Sequence, residues 1–178
     1  MWIVYLVDLV IPGNLNAFGL VPRTLSGLIG IPTMPFLHGS LGHLLSNTIP
    51  LVVLLALLAG SRADSFLVVT AIVLYGGGLL WLLGRHSTHI GASSLVYGLV
   101  AFLILAGFFE RRIIAILVSV LVGFVYGTTL ISGVLPSLDS QVSWDGHLLG
   151  AVAGGLVAYF LARSPAHEQS SSVSVASQ

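Results

Sequence analysis

The chain has 178 residues, 56% hydrophobic and 7% charged, with six Lys+Arg balancing six Asp+Glu and a mean hydropathy of +1.05. A soluble domain carries about 25% charged residues, so the composition is that of a polytopic membrane protein, and the zero net charge offers no basic surface to nucleic acid. The absence of cysteine excludes disulfides, thiol nucleophiles and thiolate metal sites.

The first apolar stretch, residues 2–11, carries Asp8. It is too short to cross a hydrocarbon core of about 30 Å and too weakly basic in front for a signal peptide. It reads as an interfacial segment or as the C-terminal half of a helix cut short at its start, and the second is the expectation. A connection rich in Gly and Pro follows over 12–37; a loop this long in a compact domain is functional or disordered. Apolar runs then occupy 41–58, 66–83, 91–109, 113–131 and 146–162, separated by polar breaks such as Arg62 to Asp64 and Glu110 to Arg112. In lipid such runs must be helices, because a helix satisfies its backbone groups within one segment. The expected fold is all-α: a polytopic membrane helix bundle over 1–163, followed by a Ser-rich polar tail at 164–178 that reads as disordered.

Arginines near the span ends set the orientation. With the long loop outside, Arg62, Arg111, Arg112 and Arg163 fall inside and Arg23 and Arg85 outside. The helices starting near Leu41, Gly91 and Gly146 then run inward, and the polar stretches at their starts share one depth near the outer face.

Those stretches carry the chemistry, since polar groups in membrane segments are costly and mark functional sites. Ser93 stands two residues after Gly91 in the first turn of a helix, where unpaired N–H groups and the positive dipole end can hold an oxyanion. The alternative is a serine cap or a small-residue packing site. His147 offers a base that titrates in the useful range; alone it reads as a histidine facing water. Gly146, Gly150 and Gly154 make a small-residue face for close helix approach, and a partner helix bearing Ser93 would bring serine and histidine together. Tyr97, one turn below Ser93, can pack on the imidazole.

His43 and Asn47 share a helix face and suit an oxyanion hole with the Ser93 backbone N–H; otherwise they form a polar clamp. His38 is expected in a supporting hydrogen-bonding role. A zinc site on His38, His43 and His147 is disfavoured by the spacing of the first two and by the lack of an HExxH-type glutamate, and haem finds no further support. No metal and no cofactor is expected. His86 and His89 read as solvated loop residues, His167 has no role, and Asp145 is too near His147 along one helix to face it.

Three motifs together resemble the rhomboid family of intramembrane serine proteases. They are His-x₄-His-x₃-Asn at His38, His43 and Asn47, Gly-x-Ser with tyrosine four residues on at Gly91, Ser93 and Tyr97, and His-x₂-Gly-x₃-Gly at His147, Gly150 and Gly154. The resemblance runs from about Asn16 to Arg163. It implies a six-helix core, a Ser93–His147 dyad, and an oxyanion site of His43, Asn47 and the Ser93 backbone. It further implies a first loop lying partly in the outer leaflet, over 12–37, and transmembrane protein substrates met in the lipid bilayer.

Two features depart from the pattern: Ser94 stands where the family usually has glycine, and the first helix is short. Ser93 is favoured over Ser94 as nucleophile because the glycine lies two before it and the tyrosine four after. The alternative function is a catalytically silent rhomboid-like protein that binds membrane clients. A small transporter or channel is a third reading, weakened by the lack of acidic residues deep in any span. Oligomeric state, natural substrate and cleavage site are not legible.

Overall fold

The computed structural model describes residues 1–136 and 143–163; the tail expected at 164–178 lies outside the described residues. The chain forms α1 (Trp2–Val10), α2 (Gly30–Thr33), α3 (Leu41–Ser61), α4 (Ser65–Leu83), α5 (Ser93–Glu110), α6 (Ile113–Val134) and α7 (Trp144–Ala162). The last five are long and apolar enough to cross a membrane. No strand occurs among the described residues, only an antiparallel bridge between Leu20 and His89. The architecture is that of an integral, multi-pass helical membrane protein.

α5 is the central helix. Its buried residues include Leu95, Val96, Leu99, Phe102 and Leu103, covering nearly its whole circumference, as an all-apolar helix requires when other helices surround it. The core continues through Leu54 and Leu58 of α3, Val68 and Ile72 of α4, and Val157 and Ala158 of α7. Outside it the surface is equally apolar: Phe66 is 85%, Phe108 72% and Phe124 88% exposed. Apolar rings turned outward on helices of spanning length face lipid rather than water.

α5 and α7 cross at backbone contact. A Cβ on Gly154 would strike the carbonyl of Gly98, and one on Gly150 the carbonyl of Ser94. The expected three-glycine face is thus corrected to two. Gly146 looks instead toward Ser143 and Leu80, because the helix has rotated past α5 by that level.

The 12–37 connection is folded. It contains short 3-10 turns at Leu15–Phe18, Ser26–Ile29 and Met34–Phe36 around α2, and inserts Leu20 and Met34 into the core. Trp81 Nε1 donates to the Thr24 carbonyl at 2.8 Å, and Arg23 Nη1 to that of Gly84 at 2.8 Å. Asp8 at the end of α1 accepts from the Leu15 N–H (2.5 Å) and from Asn16 Nδ2 (3.3 Å), which ties α1 to this loop.

At the opposite end, Arg62 pairs with Asp64 (2.7 Å) and with Glu110, and Arg112 pairs with Glu110 at 2.6 Å. The Arg62 guanidinium beside Asp64 holds its carboxyl below the usual carboxylate range, outweighing the opposite effect of burial. These pairs join the end of α3 to the α5–α6 corner, where Arg111 takes a left-handed conformation (φ 55°).

Candidate active site

The starts of α3, α5 and α7 meet at one end of the bundle. There a cavity of about 410 Å³ is lined by His43, Asn47, Ser93, Tyr97 and His147, with Tyr126 and Thr129 of α6 closing one wall. The three polar stretches, far apart in sequence, therefore face one space.

Ser93 is the first residue of α5, and Ala92 is its N-cap, with no side chain bonded to the exposed N–H groups. The serine is therefore not a cap, and its own N–H is among those the helix leaves unpaired. Gly91 before it has φ +104°, a conformation open to glycine. A Cβ there would run into the ring of His43, with Cε1 at 2.6 Å, and would lie 3.7 Å from Asn47 Nδ2. Glycine is what lets the His43–Asn47 face close over the start of α5. Ser40 Oγ caps α3 by accepting from the His43 N–H at 3.1 Å, and Asn47 Nδ2 donates to the His43 carbonyl at 2.8 Å. That leaves the second N–H of the Asn47 amide for another acceptor.

His147 lies flat against Tyr97, with ring centroids 4.1 Å apart and planes 2° from parallel. Its Nδ1 is 3.0 Å from the Gly133 carbonyl, and the Tyr97 hydroxyl donates to the Thr129 carbonyl at 3.2 Å. Ser93 and His147 line the same cavity without a hydrogen bond between them among the described residues; contacts of this kind are often loose before substrate binds. Ser94 points elsewhere. It is 5% exposed, and its Oγ packs at the crossing with Gly76 and Gly150, 2.8 Å from where a Gly150 Cβ would stand.

His38 contacts His43 ring to ring (5.0 Å, 60°) rather than through a hydrogen bond. Its Nδ1 is 3.4 Å from the Phe36 carbonyl, and its buried Nε2 has no partner among the described residues. Burial, and secondarily the neighbouring His43, lower its pKa from 6.5 to about 4. The unfolded chain therefore binds this proton more tightly than the folded one. The stability contributed by neutral His38 is fully present above pH 6.5 and is lost as pH falls toward about 4. The melting temperature in detergent should fall across that window, with a shallower fall for His38→Gln; equal slopes in the two proteins would refute the assignment.

His89 corrects an expectation. It is 3% exposed rather than solvated; its Nδ1 is 2.7 Å from Ser143 Oγ, and its Nε2 is 3.1 Å from the Arg85 carbonyl. Its backbone pairs with Leu20 at 2.8 and 3.0 Å. Asp145 accepts from the Arg85 N–H (2.8 Å) and from Arg85 Nη2 (3.1 Å), so it locks α7 to the α4–α5 loop, and it makes no hydrogen bond to His147 among the described residues. His86 is exposed. Sequence reasoning missed this lock and the carbonyls of α6. Arg85 and Asp145 at the two helix ends were the available signal for the first; a backbone carbonyl has no residue signature.

A helical membrane bundle with serine, histidine and amide side chains converging on one cavity defines a class of polytopic membrane protein with a polar site at one end of the bundle. The chain belongs to the rhomboid family: the Rhomboid domain model matches residues 26–164. An uncharacterized protein of Mycobacterium tuberculosis and one of Mycobacterium bovis are each 41% identical over 170 residues, covering 90% of this chain and 70% of the relative. One from Mycobacterium leprae is 39% identical over 170 residues, covering 90% and 67%. No solved structure gives a significant match.

Proposed function

We propose that the protein is an intramembrane serine endopeptidase that cleaves transmembrane protein substrates near the outer membrane face. The reading is carried by the convergence of Ser93, His147, His43 and Asn47 on one cavity, in a chain of the rhomboid family. His147 takes the Ser93 proton as Oγ attacks the peptide carbonyl. The oxyanion rests on the Ser93 N–H, Asn47 and His43, and the leaving amine departs with the proton from His147. Water, activated by the same base, then releases the acyl group. A helical peptide bond is shielded by its own turn, so substrates whose helix tops unwind easily are preferred. The arginine bias supports placement at the outer face, with Arg62, Arg111, Arg112 and Arg163 at the far end against Arg23 and Arg85 at the near one.

The test is cleavage of a transmembrane peptide by the purified protein in detergent or liposomes. Asn47→Ala should lower kcat by about 10²–10³, the loss that follows removal of one oxyanion donor, with the melting temperature little changed. Turnover equal to wild type would remove Asn47 from the mechanism. A folded wild type that binds the peptide and never cleaves it would favour the client-binding reading.

A further inference from the structure

We propose that the Gly133 carbonyl, at the C-terminal end of α6, completes the Ser93–His147 pair as the group that positions the base. The inference rests on the reading of Ser93 and His147 above. His147 Nδ1 lies 3.0 Å from that oxygen. A carbonyl has no proton to give, so Nδ1 carries the hydrogen and donates it. In a neutral imidazole this leaves Nε2 as a pure acceptor, the form a base toward serine requires. Free histidine prefers the opposite tautomer, with the proton on Nε2, so the contact selects the less common form.

The carbonyl is available because Gly133 sits in the last turn of α6, where C=O groups have no intrahelical partner. It also belongs to the negative end of the helix dipole, facing the ring on which positive charge appears when the Ser93 proton arrives. In serine hydrolases with a third member, a carboxylate performs both tasks. Here Asp145 is engaged with Arg85, and a helix end stands in that place.

Two further contacts make the last turn of α6 a bracket for the base. The Tyr97 ring that stacks on His147 donates its hydroxyl to the Thr129 carbonyl, one turn earlier in α6, at 3.2 Å. A side chain at Gly133 would enter the Tyr97 phenol, with Cε1 at 2.6 Å, so the tyrosine occupies the space where residue 133 lacks a Cβ. α6 buries few residues otherwise, Ala115 and Val122 among them. The orientation of the base thus depends on where the end of α6 stands.

The test is ¹⁵N NMR of histidine-labelled protein in detergent, with the His147 signals assigned by difference from His147→Gln. The expected result is the Nδ1–H tautomer for neutral His147. Gly133→Ala should abolish that preference and slow fluorophosphonate labelling of Ser93 about a hundredfold, the scale expected for misplacement by about 1 Å. On a transmembrane peptide, kcat should fall while KM changes little. An Nε2–H tautomer in a wild type that labels normally overturns the inference alone, and so does wild-type labelling in Gly133→Ala. The unaltered protein's tautomer is decisive even where Gly133→Ala fails to fold. A folded wild type that never labels at Ser93 overturns the underlying reading of the nucleophile, and with it the catalytic meaning of the contact.

Discussion

Ser93→Ala is expected to abolish both fluorophosphonate labelling and peptide cleavage, while Ser94→Ala keeps both. Loss of the nucleophile removes the covalent step, and in a serine hydrolase this costs on the order of 10⁶ in kcat. His147→Ala should be as severe, because a serine without its base is a poor nucleophile and the two act as one unit. The neighbouring serines make a sharp internal control. They are adjacent in sequence, but a helix sends adjacent side chains about 100° apart. Ser93 lines the cavity with His147, whereas Ser94 is buried at the crossing with Gly76 and Gly150. Ser94→Gly, the residue that the rhomboid resemblance leads one to expect at this position, should likewise retain labelling. Labelling that survives Ser93→Ala and disappears with Ser94→Ala would reverse the assignment.

Gly154→Leu is expected to prevent assembly of the bundle. The glycine meets the backbone of Gly98, and its missing Cβ would strike a carbonyl oxygen. Neither backbone can yield by rotating a side chain, so α5 and α7 must separate. Overpacking of a core typically costs about 1–3 kcal/mol, and a four-carbon side chain at a backbone crossing belongs at or beyond the top of that range. Stability falls together with activity, because Ser93 and His147 are carried on the two helices pushed apart. Gly127→Ala in α6 is the control: a Cβ there meets nothing within 4 Å, and alanine is the better helix former by about 1 kcal/mol. Thermal unfolding in detergent, followed by circular dichroism, reads both. A Gly154→Leu protein that melts with wild type would show that the crossing tolerates separation.

The spans were legible because hydropathy is summed along one segment and needs no partner. The expected run at 66–83 differs from α4 by one residue, and the run at 146–162 begins two residues inside α7. α3 and α6 continue past 58 and 131 to Ser61 and Val134. Those last turns contain Gly60, Ser61, Ser132 and Gly133, small or polar residues that helical hydrogen bonding carries along although apolarity alone would stop. The side chains that line the cavity were legible for another reason. Serine, histidine and asparagine at the starts of lipid-spanning helices are expensive to bury, so their presence in these positions announces a site.

The amino-acid sequence by itself determined that the chain crosses the membrane, where it does so, and which side chains are chemically equipped to form a site. The tertiary structure alone decided how each helix is rotated about its axis. That rotation sends Ser93 to the cavity and Ser94 to the packing, and it puts Gly150 and Gly154 against α5 while Gly146 looks away. It also decided the fate of His89, which a solvated-looking loop buries by pairing its backbone with Leu20. The Gly133 carbonyl on His147 is the extreme case. Every residue has such an oxygen, so no side-chain pattern can single one out, and only the packing of α6 against α5 and α7 brings this one to the His147 ring.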